Sequence, residues 1–149
     1  MVRLTSLFIA AAIAVSACGS DGDTSSSPAN EVAPTETVAA AAFATIGAEE
    51  AAVLIDDGPD DLVVLDVRTP EEFAEGHLEG AVLVDFYAED FTEQLAALDP
   101  DVPYVVYCRS GNRSGQTVPV MEELGFSSAT DIAGGILAWE DADLPVVVE

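Results

Sequence analysis

Short apolar runs alternate with amphipathic segments from about residue 43 onward. One of these runs, 62–67, is continuously apolar apart from Asp66, which is typical of a strand buried on both faces. In all, the apolar runs predict five strands, at 43–46, 62–67, 81–84, 103–107 and 129–132. The segments between and after the strands predict five helices. Three of them span 47–55, 90–98 and 114–124. A short helix follows Thr69 as its N-cap and begins at Pro70, and the last runs from Gly134-Gly135 through Trp139. This alternation predicts an α/β fold, a parallel five-stranded sheet with helices on both faces.

The first residues have the pattern of a secretory leader. Arg3 precedes an apolar run, Leu4 to Val15, that is too short to remain in a bilayer as a span. The segment that ends at Cys18, Val15-Ser16-Ala17-Cys18, resembles the lipobox of bacterial lipoproteins. That resemblance implies cleavage before Cys18 and lipidation of its sulfur. The alternative is an ordinary signal peptide with a chance cysteine.

Three segments follow from this pattern. Residues 1–17 are predicted to be a lipoprotein signal peptide, and 18–42 a lipidated N-terminus and disordered tether rich in serine, proline and alanine. Residues 43–149 are predicted to be the folded domain. We therefore expect an exported protein, anchored by lipid to the outer face of the bacterial cell membrane or held in the periplasm.

The charge of the chain is strongly acidic. Lysine and arginine together number 4 against 28 acidic residues, which gives a formal net charge of −24, and every one of the cations is arginine. Such a chain is a poor ligand for nucleic acid, because that binding depends on cations that neutralise phosphates. Beyond the leader only Arg68, Arg109 and Arg113 remain, and two of them flank a cysteine.

The segment Cys108-Arg109-Ser110-Gly111-Asn112-Arg113-Ser114-Gly115 follows a predicted strand and leads into a predicted helix. A short arc at this position would aim backbone N–H groups and a helix N-terminus at the Cys108 sulfur. Neighbouring guanidinium groups would further stabilise the thiolate, which is the nucleophilic form of cysteine. The alternative is a buried structural cysteine, the more usual role of a lone cysteine.

The cysteine segment resembles the active-site loop of single-domain rhodaneses, which are thiosulfate-type sulfurtransferases. Three further segments agree in order and spacing with motifs of that family. They are the stretches Leu65-Asp66-Val67-Arg68-Thr69-Pro70-Glu71-Glu72-Phe73, Gly76-His77-Leu78-Glu79-Gly80-Ala81 and Gly134-Gly135-Ile136-Leu137-Ala138-Trp139. Glu79 departs from the pattern, since proline is common there. The resemblance covers about 43–149 and implies the rhodanese-like fold.

The resemblance implies a persulfide relay on Cys108. The thiolate would take sulfur from a small anionic donor, thiosulfate-like or polysulfide, and pass it to a thiol or cyanide acceptor without a cofactor. The predicted substrate-binding residues are those of the loop, namely Arg109, Ser110, Gly111, Asn112, Arg113 and Ser114. We expect the anion and solvent to be the only neighbours of note for the two arginines. With one histidine and one free cysteine, the chain has no ligand set for a structural zinc site.

Asp66 and Arg68 end a predicted strand and should lie at the same sheet edge as Cys108. We expect them to support the site by pairing with their neighbours rather than by shaping the active-site edge directly, because buried charges need partners. His77 is likewise interpreted as structural rather than as a general base. Three aromatic residues are assigned to the core, namely Phe73, Phe126 and Trp139.

Two rival functions stay open. Cell-cycle phosphatases and arsenate reductases resemble this fold, but their loop places five residues between cysteine and arginine. Here four residues separate Cys108 from Arg113, and Ser114 stands at the phosphatase arginine position. The second rival is a rhodanese-like sulfur-carrier or binding module that does not turn over small donors.

Overall fold

A computed structural model describes residues 42–148. The predictions for the leader, for Cys18 and for the tether up to residue 41 lie outside the described residues. The five strands are β1 (Phe43–Ile46), β2 (Val63–Asp66), β3 (Val82–Leu83), β4 (Pro103–Tyr107) and β5 (Ser128–Ile132). The five helices are α1 (Ala48–Asp57), α2 (Pro70–Glu75), α3 (Phe91–Ala96), α4 (Asn112–Glu123) and α5 (Gly135–Asp141).

All five strands pair in parallel, in the order β1-β5-β4-β2-β3. The predicted α/β fold with a five-stranded parallel sheet is therefore confirmed. Strand β4 lies at the centre, between β5 and β2, so its carboxyl end is surrounded by the ends of its neighbours. The residue after β4 is Cys108, which places the thiol at the middle of the sheet edge where α/β proteins bind ligands.

Two apolar clusters cover the two faces of the sheet. One packs α3 and α4 against the sheet through residues such as Leu95, Val106 and Met121. The other packs α1 and α5 against the opposite face, with Ala51 and Trp139 among its buried members. Burial on both faces explains why the central strands read as continuous apolar runs.

The observed helices differ from the predicted ones at their ends. Helix α4 begins at Asn112, two residues earlier than predicted, because Gly111 adopts a left-handed conformation with φ 85° and acts as the N-cap. Thr69 caps α2 as predicted: its side chain accepts from the Glu72 N–H, and the Glu72 carboxylate accepts from the Thr69 N–H. No helix within residues 42–148 is long and apolar enough to cross a membrane.

Candidate active site

The sulfur of Cys108 is enclosed by the turn that joins β4 to α4. The Gly111 N–H donates to the sulfur at 3.1 Å, and the Ser114 hydroxyl donates to it at 3.5 Å. Both donors come from residues that begin α4, so the positive end of the helix adds to their effect. The predicted arc of inward-pointing donors is therefore present around the thiol.

These contacts favour the thiolate. Burial alone raises the pKa of Cys108, since an anion loses hydration in the interior. Hydrogen bonding from the Ser114 hydroxyl and from the backbone N–H groups of Ser114, Ser110 and Arg113 outweighs that cost. The net result is a pKa below the ordinary value for cysteine, which is the property required of a nucleophilic thiol.

Cys108 is also fully buried, with 0% of its surface exposed. Its apolar neighbours in the core include Leu65, Val67 and Val106. The sulfur thus has apolar neighbours on the side of the sheet and hydrogen-bond donors on the side of the loop.

Arg113 does not extend freely into solvent. Its guanidinium forms a two-pronged ion pair with Glu72 of α2, Nη1 to Oε2 at 2.7 Å and Nη2 to Oε1 at 2.8 Å. Its Cζ also lies 5.5 Å from the ring centroid of Tyr87. The expectation that an anion and solvent would be its only neighbours of note is wrong for Arg113, because Glu72 reaches it from another motif.

Arg109 has the opposite environment. It is exposed and makes no ion pair or side-chain hydrogen bond among the described residues. It borders a cavity of about 200 Å³, which Arg68, Glu75 and Glu140 also line. Arg109 is therefore the unpaired cation beside the thiol loop within residues 42–148.

The remaining loop residues fall into two groups. Ser110 and Asn112 are exposed, and the Asn112 side chain accepts a hydrogen bond from Gln116 on the next turn of α4. Gly111 and Ser114 face inward and contact the sulfur. The structure thus brings two of the predicted loop residues directly to Cys108 and leaves two at the surface.

The first turn of α5 holds the loop from behind. The Ile136 N–H donates to the Cys108 carbonyl at 2.9 Å, and the Leu137 N–H donates to the Arg109 carbonyl at 3.2 Å. Gly135 itself has φ 59°, and a Cβ there would lie 2.3 Å from the Cys108 carbonyl oxygen. Gly135 is therefore required by the close approach of its backbone to the loop that holds the thiol.

Comparison with known proteins agrees with this geometry. The rhodanese-like domain family matches residues 47–142. The chain belongs to the rhodanese family. It is 36% identical over 98 residues to a Pseudomonas aeruginosa protein named thiosulfate sulfurtransferase GlpE, covering 65% of this chain and 84% of that protein.

Two further relatives define how far the likeness extends. The chain is 37% identical over 87 residues, 58% of its length, to the probable adenylyltransferase/sulfurtransferase MoeZ of Mycobacterium tuberculosis, but spans only 22% of that protein. A crystal structure of a rhodanese-related protein from Thermoplasma volcanium superposes with a TM-score of 0.62 and 31% identity. That comparison covers 70% of this chain and 98% of the other.

In this rhodanese domain Asp66 and Arg68 form a buried pair. Asp66 is 0% exposed and Arg68 is 4% exposed. The Arg68 Nε lies 3.0 Å and 2.9 Å from the two Asp66 oxygens, and Nη2 lies 2.7 Å from Oδ2. Arg68 also donates to the Gly76 carbonyl at 2.7 Å. The pair joins the end of β2 to the segment after α2.

His77 takes part in a structural contact as well. It is 4% exposed, its Nδ1 lies 3.0 Å from the Phe73 carbonyl oxygen, and its backbone pairs with Val147. Its ring stacks on Phe73 at a centroid distance of 3.7 Å. Phe126 and Trp139 are buried as predicted, whereas Phe73 is only partly buried and packs on the histidine instead.

Three residues around the site were not predicted to belong to it. Glu72 and Tyr87 contact Arg113, and Asp131 lies on β5 opposite Val106 of β4. Glu72 was recognised only as part of a motif that opens α2, and Tyr87 lies in the segment between β3 and α3. Asp131 is an acidic residue within the buried strand β5, a pattern that could have marked it in the sequence. No three His, Cys, Asp or Glu side chains within 42–148 come together as metal ligands.

The Glu72–Arg113 pair predicts a stability change at acidic pH. Hydrogen bonding from Arg113 lowers the pKa of Glu72 from 4.5 to about 2. A lowered carboxyl pKa contributes stability above pH 4.5, and that contribution is lost as pH falls toward about 2. We expect Glu72→Gln, which can still cap α2, to lose less unfolding free energy across this range than the wild type does. Urea unfolding at several pH values measures this.

The neighbouring substitution Glu71→Gln is the matched control, because Glu71 is exposed on the same helix turn. It should keep the wild-type pH dependence. If Glu72→Gln and the wild type lost the same unfolding free energy as pH falls from 4.5 to about 2, the ion pair would contribute nothing to folding.

Proposed function

We propose that this rhodanese domain is a sulfurtransferase that moves a sulfane sulfur through a persulfide on Cys108. The donor is a small anion, thiosulfate-like or polysulfide, and the acceptor is a thiol or cyanide. The observation that carries the proposal is the Cys108 sulfur held as a hydrogen-bond acceptor by Gly111 and Ser114 at the start of α4. The name of GlpE, a thiosulfate sulfurtransferase, supports the donor class.

The chemistry is a double displacement. The Cys108 thiolate attacks the outer sulfur of thiosulfate, a new S–S bond forms, and sulfite leaves with the electron pair of the broken S–S bond. An acceptor thiolate or cyanide then attacks the terminal sulfur of the persulfide, and the Cys108 thiolate returns. The negative charge stays at the loop in both resting and loaded states, so the same N–H and O–H donors stabilise each of them.

The two loop arginines have different roles in this proposal. Arg109 is free to meet the donor, while Arg113 is held by Glu72 and fixes the first turn of α4 against α2. Neutralising a free guanidinium removes a charge-assisted contact to the anion, which is worth about 1.5–3 kcal/mol. Arg109 is therefore the residue whose loss should affect donor binding alone.

We expect Arg109→Ala to raise KM for thiosulfate about 10- to 150-fold while the melting temperature stays at the wild-type value. Arg113→Ala should lower the melting temperature and also raise KM, because it removes an ion pair as well as a cation. Steady-state assays and thermal unfolding of both variants measure the two effects. A lower melting temperature for Arg109→Ala with unchanged KM would contradict the assignment.

Intact-mass measurement after thiosulfate treatment tests the proposal as a whole. The wild type should gain the mass of one sulfur atom and lose it again on addition of cyanide or a thiol. Cys108→Ser should gain none and should show no sulfur transfer above background. No gain with thiosulfate, polysulfide or another small donor would favour the sulfur-carrier or binding module.

We also propose that the chain is exported and lipidated at Cys18. The support is the short apolar run after Arg3 and the lipobox-like segment that precedes Cys18. Expression in a bacterium fed a labelled fatty acid should label the wild type and not Cys18→Ala. If neither protein carried the label, the proposal that Cys18 is lipidated would be wrong.

A further inference from the structure

The cavity that Arg109 borders lies directly beside the thiol loop. Its volume is about 200 Å³, and Arg109 is the residue that follows Cys108 in the chain. A second wall comes from α5, whose Ile136 N–H donates to the Cys108 carbonyl at 2.9 Å. A molecule held in this cavity, named the Arg109 cavity from here on, is therefore a neighbour of the loop that carries the nucleophile.

Two carboxylates from different helices line the Arg109 cavity. Glu75 is the last residue of α2, and Glu140 lies near the end of α5. On α5, Glu140 shares one face with Ile136 and Leu137, which also line the cavity. Both carboxylates are exposed, and neither makes an ion pair or a side-chain hydrogen bond among the described residues. They are therefore free to meet a cation from solution.

The other charges at the Arg109 cavity already have partners. Arg68 is paired with Asp66, and Glu72 is paired with Arg113. These pairs leave one guanidinium, that of Arg109, and the two carboxylates of α2 and α5 without a partner within residues 42–148. The unpaired charges thus match a small molecule that carries both a negative and a positive group.

The charge of the whole chain favours such a molecule over a plain anion. A formal net charge of −24 repels anions at long range, whereas a molecule with one charge of each sign has no net charge to be repelled. The cavity also has an apolar wall, formed by Ile136 and by Leu137, which is 38% exposed. It therefore suits a short hydrocarbon skeleton with an ammonium and a carboxylate group, as in a free amino acid.

We propose that the sulfur acceptor is a small thiol with the charged groups of an amino acid, and that Glu75 and Glu140 select it by binding its ammonium. Arg109 binds its carboxylate. This inference rests on the proposed function and names the class of its acceptor. Arg109 meets the anionic donor in the first displacement, and it meets the acceptor after sulfite has left. The two substrates occupy the site in turn, so one cation serves both.

The second displacement uses no oxidant or reductant. The acceptor thiol loses its proton to water, and its thiolate attacks the outer sulfur of the Cys108 persulfide. A new S–S bond forms, while the bond between the outer sulfur and the Cys108 sulfur breaks. The electron pair of the broken bond returns to Cys108 as its thiolate. The product is the persulfide of an amino-acid thiol.

Binding of an unreactive analogue tests the selection without any sulfur transfer. S-methylcysteine has both charged groups and a blocked sulfur, and 3-(methylthio)propionate differs from it only in lacking the ammonium. Each is titrated into the full chain while the amide NMR signals of Leu137 and Glu140 are followed. We expect S-methylcysteine to shift these signals and to bind more tightly than 3-(methylthio)propionate.

The double variant Glu75→Gln/Glu140→Gln should weaken the binding of S-methylcysteine about 2- to 25-fold, because each exposed ion pair contributes a factor of about 1.5 to 5. The binding of 3-(methylthio)propionate should not weaken. The matched control is Glu71→Gln/Asp141→Asn, which removes two exposed carboxylates from the same two helices but outside the cavity. It should keep the wild-type dissociation constant for S-methylcysteine.

Three results of this titration would overturn the inference. One is equal binding of the two analogues by the wild type, and another is the absence of any shift at Leu137 and Glu140. The third is an equal loss of binding in the control variant, because the effect would then come from the net charge of the protein and not from the cavity.

A second measurement, with reactive thiols, separates this inference from the proposed function. Protein loaded with sulfur from thiosulfate is mixed with cysteine or with 3-mercaptopropionate, which lacks the ammonium, and the ratio of the two discharge rates is measured. Glu75→Gln/Glu140→Gln should lower this ratio about 2- to 25-fold. The intrinsic reactivity of each thiol cancels, because the same two thiols are compared for each protein.

The outcomes of the two measurements are distinct. If the ratio of discharge rates is the same in the wild type and in Glu75→Gln/Glu140→Gln, the selection is wrong while sulfur transfer through Cys108 stands. If no persulfide forms with any small donor, the proposed function is wrong. The analogue titration then still decides whether the Arg109 cavity binds an amino acid.

Discussion

Asp66→Asn is expected to reduce the free energy of unfolding by about 3–5 kcal/mol while leaving the chemistry of the folded fraction intact. The substitution keeps the shape of the side chain but leaves the Arg68 guanidinium buried without its counter-ion. Removing one partner of a buried pair costs far more than the pair contributes, because the remaining charge has lost its hydration. Urea unfolding measures the stability, and sulfur transfer per mole of folded protein measures the chemistry.

Two comparisons make this result specific. Asp99→Asn removes an exposed carboxylate and should cost less than about 0.5 kcal/mol. Arg68→Met combined with Asp66→Asn should cost less than the sum of the two single changes, since no buried charge then remains. If Asp66→Asn kept the stability of the wild type but lost sulfur transfer, Asp66 would act directly on the substrate. The supporting role assigned to it would then be wrong.

The sequence predicts most of this fold because apolar periodicity reports burial. Runs such as 62–67 and 103–107 are buried on both faces, as is typical of parallel strands that are covered by helices. The position of Cys108 follows from the same argument, since a residue directly after a central strand lies at the ligand-binding edge. The order of the strands in the sheet, β1-β5-β4-β2-β3, is not predicted by periodicity, because the apolar pattern of a strand does not identify its neighbours.

The partners of the site residues are what the sequence leaves open. Glu72 and Arg113 are 41 positions apart in the sequence. Each belongs to a motif that is already explained as the start of a helix, so neither motif indicates that the two side chains pair. Asp131 stands in a strand whose other members are short or apolar, and nothing in that local pattern shows which element covers its carboxyl. Contacts between motifs depend on how α2, α4 and β5 meet, which local pattern does not encode.

Gly135→Ala should have the largest effect on the site apart from loss of the thiol itself. A Cβ at residue 135 would lie 2.3 Å from the Cys108 carbonyl oxygen and 2.8 Å from the Arg109 carbonyl carbon. Backbone atoms cannot rotate away as a side chain can, so either the thiol loop or the first turn of α5 must shift. A displacement of about 1 Å in an active site can lower the rate about 100-fold, and we expect a loss of that size in sulfur transfer.

The matched control is Gly80→Ala, because Gly80 also has a left-handed backbone, φ 72°, but a Cβ there meets nothing within 4 Å. Both substitutions incur the cost of a left-handed alanine, about 1–2 kcal/mol, and only Gly135→Ala adds the collision with the loop. A larger stability loss for Gly135→Ala, with a rate loss confined to that variant, would assign the effect to the position of the loop. If Gly135→Ala transferred sulfur at the Gly80→Ala rate, the hydrogen bonds from α5 to the loop would not be what positions the Cys108 sulfur.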